Sequence, residues 1–221
     1  MIVRHTDLNR RKFLQHASRA VVVFPVLGLG IAHLSSCARK EGFLARPALA
    51  DKASPNVSWK TAIVSDKEPG EPLIVSGTIY SPDGRKPLEG INLYVYQTDA
   101  TGHYSTLTES GGDNRNTRLH GLMRTNAEGR YEFRTIKPAP YPQARIAAHI
   151  HAYVSGPGYP EYWIDEYHFD DDAFLTDDMR RRFGSNTNFS SILKLTRGSG
   201  GILRGVRDIK IERCTNNCTG Q

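Results

Sequence analysis

The sequence predicts an all-β domain built as an antiparallel β-sandwich, and three observations predict it. Short β-branched and aromatic runs recur along the chain, with clusters of Gly, Pro, Asp and Asn between them. Only residues 177–183 carry a helical pattern, so the strand–helix alternation that builds a parallel sheet is missing. A chain of 221 residues, 38% apolar and 24% charged, buries one real core or at most two small ones. The same figures exclude a collagen-like chain, a disulfide-dense mini-protein and a mostly disordered chain.

The elements follow in order. Residues 37–70 are rich in Ala, Pro, Lys and Ser and show no sustained period. They read as a tether, with a first strand near 59–64 at its end. The sandwich is expected over 71–213. Strand runs at 74–80 and 91–97 stop at the turns Pro82-Asp83-Gly84 and Asp99-Ala100-Thr101-Gly102. A run at 130–136 stops at Lys137-Pro138, where proline withdraws the N–H that a ladder needs. The run at 146–154 stops at Gly156-Pro157-Gly158 and is followed by 163–169. Residues 177–183 place Asp177 and Asp178 before Arg180, Arg181 and Arg182, the charge order a short helix favours. Runs at 192–195 and 206–212 complete the set, and residues 214–221 form a tail. Its Cys214 and Cys218 fit a short disulfide loop, with two free thiols as the alternative.

The net charge of +6 raises the question of a nucleic-acid partner, so its location matters. In residues 1–36, Arg4, Arg10, Arg11, Lys12 and Arg19 precede an uncharged, mostly apolar run at 21–34. That run is too short for an ordinary membrane span and reads as the h-region of an export signal. Asn9-Arg10-Arg11-Lys12-Phe13-Leu14-Gln15 resembles a twin-arginine export motif, and Leu34-Ser35-Ser36-Cys37 resembles a lipoprotein box. These imply export, lipid on Cys37 after cleavage, and a periplasmic or cell-surface location. That anchor would be the only link to a membrane. Residues 1–36 hold five of the 29 Lys and Arg and one of the 23 Asp and Glu, leaving 24 against 22 and a net charge of +2. A nearly neutral domain lacks the field that nucleic-acid binding needs.

Chemistry concentrates at Ala148-His149-Ile150-His151-Ala152. On a strand His149 and His151 face the same way, and two imidazoles on one face make half of a metal site. A cupin would begin with the same His-x-His but needs a Glu about four residues on, where Ser155 and Gly156 stand here. Two tyrosines are available as further ligands, the alternative for the first being a surface tyrosine on a Pro-rich turn. Tyr141 lies in Pro140-Tyr141-Pro142, where flanking prolines stiffen the backbone, and Tyr104 follows the turn at 99–102.

With these residues in place the chain resembles the intradiol ring-cleavage dioxygenases, above all the protocatechuate 3,4-dioxygenase-like members. The resemblance runs in order from 76 to 172. It is carried by Gly77-Thr78-Ile79-Tyr80, Asp83-Gly84, Gly102-His103-Tyr104, the stretch 125–138, Pro140-Tyr141-Pro142, the His-x-His at 149–151 and Gly156-Pro157-Gly158. It implies a sandwich of the intradiol dioxygenase type holding a non-haem Fe(III) through Tyr104, Tyr141, His149 and His151. A free phenol has a pKa of about 10, but a trivalent cation favours the phenolate, and two hard anionic oxygens favour the ferric state. The resemblance also implies the reaction. A small aromatic diol binds, Tyr141 leaves the metal and helps take a proton, and O2 enters between the two hydroxyl-bearing carbons to give a muconate-type diacid. The number of chains in the assembly is left open.

Two positions depart from the family pattern. The family commonly has an Arg three residues before the first His; here Ile146 stands there and Arg145 is one residue earlier. Arg145 takes that role only if a bulge turns it to the site, since strand alternation points it away. A family Gln is matched by Glu166, which adds a carboxylate near the proposed iron. His103 and His120 read as solvated loop residues, and His168 as part of a solvated turn with Asp170, Asp171 and Asp172. Trp163 and Tyr167 read as packing or rim residues. The competing reading of the whole is a lipid-anchored, non-catalytic β-sandwich that binds a partner; four candidate ligands in register speak against it. A weaker one is a protein that loads copper or zinc through the same histidines.

Overall fold

Strand alternation divides each run into a face for the core and a face for everything else. The computed structural model describes residues 56–105, 115, 117–185 and 189–212, which belong to the unit Ala45–Gln221. The leader 1–36, Cys37, most of the tether and the Cys214 and Cys218 tail lie outside the described residues. Two mixed sheets face each other. The first has the order β1 (Lys60–Ala62), β5 (Arg130–Ile136), β2 (Pro72–Tyr80), β10 (Leu203–Val206) and β9 (Thr196–Arg197). Farther along β2, β11 (Ile209–Lys210) joins the same edge. The second sheet runs β4 (His120–Arg124), β3 (Asn92–Gln97), β6 (His149–Gly156), β7 (Tyr159–Phe169) and β8 (Ile192–Leu193). A helix α1 (Asp177–Phe183) links β7 to β8, capped by Thr176 Oγ1, which accepts from Met179 N at 3.2 Å.

The sandwich agrees with expectation, and its details differ where local pattern is weak. Four pairs are parallel: β1 with β5, β10 and β11 with β2, and β8 with β7. Pairing direction of such short segments follows from where the chain returns, which run spacing does not encode. Strand β4 was not expected, because Gly121 interrupts its pattern. That glycine is needed, since a Cβ there would lie 2.2 Å from Ile63 Cγ2. His120 therefore begins a strand rather than sitting in a loop; its Nδ1 lies 2.5 Å from Thr117 O. The expected strand at 146–154 starts only at His149, so residues 145 and 146 precede the ladder.

The core lies between the sheets. Leu73, Val75, Ile79, Tyr131 and Phe133 from the first meet Leu93, Val95, Ile150, Ala152, Val154, Tyr167 and Phe169 from the second. Tyr167 is thus a core residue rather than a rim residue. Its hydroxyl donates to Tyr131 at 3.0 Å, and Tyr131 donates to Arg207 O at 2.7 Å, so both buried phenols are satisfied across the layers.

His168 also corrects the sequence reading. It is 1% exposed, lies under Phe183 at a ring separation of 4.7 Å, and neither ring nitrogen makes a hydrogen bond. Burial lowers its pKa to about 4. The unfolded chain then binds more protons than the fold below the ordinary histidine value. This residue's contribution to stability is therefore complete above pH 6.5 and is lost as pH falls toward 4, a loss of up to about 3 kcal/mol. His168→Phe is expected to flatten the acid limb of a urea-denaturation stability profile between those pH values; an unchanged limb would contradict it.

Candidate metal centre

The outer face of the second sheet carries the site. On β6, His149, His151 and Tyr153 share the face opposite Ile150, Ala152 and Val154. On β3, Tyr94 and Tyr96 share it opposite Leu93 and Val95. Register places Tyr96 beside His151 and Tyr94 beside Tyr153. The His151 imidazole is clamped between aromatics, with Tyr96 stacked at 4.5 Å and the edge of Trp163 at 4.9 Å.

Two loops bring the tyrosines over this face. In the turn after β3, Asp99 Oδ1 accepts from Thr101 N at 2.8 Å and His103 N at 3.1 Å, which fixes the backbone leading to Tyr104. The Pro-rich loop after β5 is tied to that turn. Ala139 N donates to Asp99 O at 3.1 Å and Thr98 Oγ1 donates to Ala139 O at 3.0 Å. Gly102 permits the approach. Its φ is +81°, and a Cβ on it would lie 2.0 Å from Pro140 O. Asp172 Oδ2 accepts from Ala148 N at 2.9 Å and so holds the entry to His149.

The result is a convergence of four donor atoms. The hydroxyl of Tyr104 lies 2.7 Å from that of Tyr141 and 2.8 Å from His151 Nε2, and Tyr141 lies 3.2 Å from His149 Nε2. His149 Nδ1 is 2.8 Å from Ala147 O, an acceptor only, so Nδ1 carries the proton and Nε2 presents a lone pair. His151 Nδ1 has Glu166 Oε1 at 2.9 Å, close though not aligned as a hydrogen bond, while its Nε2 faces the Tyr104 hydroxyl. Three short contacts thus gather two phenol oxygens and two imidazole nitrogens within reach of a single cation. Ligands at right angles, each about 2.0–2.1 Å from one ion, stand about 2.9 Å apart, which is the spacing seen here.

Electrostatics of the cluster favour protonated phenols. Burial, then the Tyr141 hydrogen bond, raises Tyr104 far above the ordinary phenol value, and burial raises Tyr141. Burial lowers His149, which keeps it neutral and able to ligate. Loading a cation must therefore displace phenol protons. The donor set of two phenols and two imidazoles suits a hard trivalent ion that prefers oxygen anions with nitrogen support.

Glu166 reaches the cluster through a β-bulge. His149 pairs with His168 and Ile150 with Tyr167, but Ala152 pairs with Ile164, so β7 holds one extra residue opposite His151. The bulge lets both Glu166 and Trp163 lie on the face of the histidines. Ligating atoms of His149, His151 and Glu166 all lie within 4.8 Å of one another. Burial pushes the Glu166 carboxyl up, but His151 and the neighbouring imidazoles outweigh it and hold the pKa below the usual value. Arg145 is exposed, with its guanidinium 5.5 Å over the Phe174 ring, and Ile146 is 46% exposed. His103 is exposed too. Tyr96, one side of the clamp, is not singled out by the sequence; its signal there is the alternation of aromatic with aliphatic residues at 93–96, which reads only as strand.

The family described as Dioxygenase matches residues 45–196. Catechol 1,2-dioxygenase 1 of Acinetobacter lwoffii is 29% identical over 164 residues, 67% of this chain and 50% of that protein. The protocatechuate 3,4-dioxygenase beta chain of Burkholderia cepacia is 30% identical over 126 residues, 54% of this chain and 53% of that one. The chain thus spans about half the length of the curated relatives it matches. Among solved structures, the dioxygenase domain of a dioxygenase–carbohydrate-binding fusion from Streptomyces sp. SirexAA-E superposes with a TM-score of 0.52 at 26% identity. The match covers 72% of this chain and 92% of that one. Catechol 1,2-dioxygenase from Acinetobacter sp. ADP1 shares the fold, with a TM-score of 0.55 at 22% identity, covering 71% and 57%.

The tie between the two loops yields a direct test. Gly102→Ala should cost on the order of 1–3 kcal/mol and part Tyr104 from Tyr141. The sandwich should survive, while Fe(III) affinity falls at least about tenfold, the scale reached when a supporting residue of a metal site is lost. Fe(III) binding equal to the parent's would show that the approach does not set the site.

Proposed function

The chain belongs to the intradiol dioxygenase family, and on that premise we propose that it is an exported enzyme that cleaves a catechol-type ring. The reaction inserts O2 between the two hydroxyl-bearing carbons and gives a muconate-type diacid. The observation that carries this is the convergence of two phenol oxygens and two imidazole nitrogens, those of Tyr104, Tyr141, His149 and His151, at 2.7–3.2 Å. These four residues would hold a non-haem Fe(III). Bound there, the ion supplies Lewis acidity toward a diol and a means of activating it toward O2.

The protein's own part follows from how each residue is held. His151 is pinned between Tyr96 and Trp163, and His149 is fixed by Ala147 O, so the sheet-borne pair has little freedom to move. Tyr104 is anchored by two short contacts. Tyr141, part-buried on a loop like Tyr104, has the longest of the three contacts, 3.2 Å to His149. It is the donor best able to yield its place to a diol, and its freed phenolate oxygen can accept a hydroxyl proton at the site. Arg145, over Phe174, serves as the substrate's charge partner only if the loop at 137–148 turns it inward on binding.

Export rests on the leader and on Cys37, which would fix the domain to a membrane by lipid alone and leave 37–70 as a tether; membrane fractionation of the full chain checks it. A twin-arginine route suits a protein that must fold around iron before it leaves the cytoplasm. For the activity, iron-loaded protein given catechol under air should consume O2 and form the ring-opened diacid. Tyr141→Phe should lower turnover by about 10²-fold while leaving the melting temperature near the parent's. Unchanged turnover in that variant would remove Tyr141 from the mechanism.

A further inference from the structure

We propose that Glu166 makes this site selective for diols that carry no further negative charge, so that a ring-carboxylated catechol is disfavoured for its charge and not for its shape. The inference rests on the reading of Tyr104, Tyr141, His149 and His151 as the substrate-binding metal site. Three observations carry it.

The first is position. The bulge in β7 aims Glu166 at the ligand face, with Oε1 2.9 Å from His151 Nδ1 and Oε2 3.8 Å from His168 Nε2. A diol held by the four donors would lie within a few ångströms of that carboxylate. The second is incomplete shielding. The Glu166 side chain keeps 26% of its surface exposed, so its carboxylate is in contact with solvent rather than sealed beneath the cluster.

The third is that the cations nearest this face, among the described residues, are engaged with groups other than Glu166. Arg115 lies 4.0 Å over the Tyr153 ring and pairs with Glu161. Arg145 is over Phe174. Arg207 is 5% exposed and lies over the Tyr167 ring, which belongs to the core face of the sheet. The remaining neighbours of His151 are uncharged aromatics, Tyr96 and Trp163. Among the described residues, no Lys or Arg pairs with Glu166, and the histidines beside it are its only partners of potentially opposite charge. Two like charges about 7 Å apart at an effective dielectric of about 20 repel enough to change affinity roughly fiftyfold. Partial solvation reduces that figure, so roughly tenfold discrimination is the expected scale.

The test is anaerobic calorimetric titration of the iron-loaded full chain with catechol, 3,4-dihydroxybenzoate and 3,4-dihydroxybenzamide. The amide matches the acid in size and lacks its charge. Catechol and the amide should bind with similar affinity, and the acid about tenfold or more weakly. Glu166→Gln should close most of that gap by tightening the acid, and Glu166→Asp should keep it. If the amide is rejected as strongly as the acid, shape governs and the proposal fails; this arm needs no variant to fold. An acid-to-amide ratio unchanged in Glu166→Gln overturns it as well. If no diol binds the parent protein, the reading of the metal site is wrong, and the proposal falls with it.

Discussion

The site depends on one close approach, the backbone of the 99–102 turn against the carbonyl of Pro140. The two histidines are placed by a strand and need only alternation to share a face. The two tyrosines come from loops 37 residues apart, and loops do not converge unless something draws them together. Gly102 does so by having no Cβ at the point where Pro140 O arrives, and the Ala139–Asp99 and Thr98–Ala139 hydrogen bonds hold the contact. A rigid sheet supplies the nitrogens and a stapled loop pair supplies the oxygens.

A second layer tunes the first. Ala147 O fixes the tautomer of His149, and the Glu166 carboxylate faces Nδ1 of His151, so each ring offers Nε2 to the cluster. Carboxylate and carbonyl partners of this kind orient ligating imidazoles and raise their basicity. Here one of them depends on an irregularity. Without the extra residue in β7, Glu166 and Trp163 would point to opposite faces, and His151 would lose either its carboxylate or its aromatic wall. The unpaired nitrogens of buried His168 lie in the same region, where polar burial has been tolerated rather than satisfied.

Much of this was legible in the sequence, for physical reasons. The period of two at 149–153 places both histidines on one side whatever the rest of the chain does. Prolines around Tyr141 announce a stiff loop, and the turn before Tyr104 is written in Asp99 and Gly102. What stayed hidden required contact between distant segments. The burial of His168 depends on α1 folding over it through Phe183, which no local pattern states. The clamp by Tyr96 requires the register between β3 and β6. Strand β4 was obscured by Gly121, whose reason is the side chain of Ile63 packed on it. The bulge that turns Glu166 inward adds one residue to a run that still looks like ordinary strand.

The central claim is that two phenolate oxygens and two imidazole nitrogens of this chain bind one ferric ion. The measurement that tests it most directly is the visible absorption spectrum of the purified protein loaded with a single equivalent of Fe(III), before any diol is added. A broad tyrosinate-to-iron charge-transfer band is expected, weakened by Tyr104→Phe and shifted by Tyr141→Phe. Stoichiometric iron without that band, or a band indifferent to both substitutions, would contradict the two-tyrosine site.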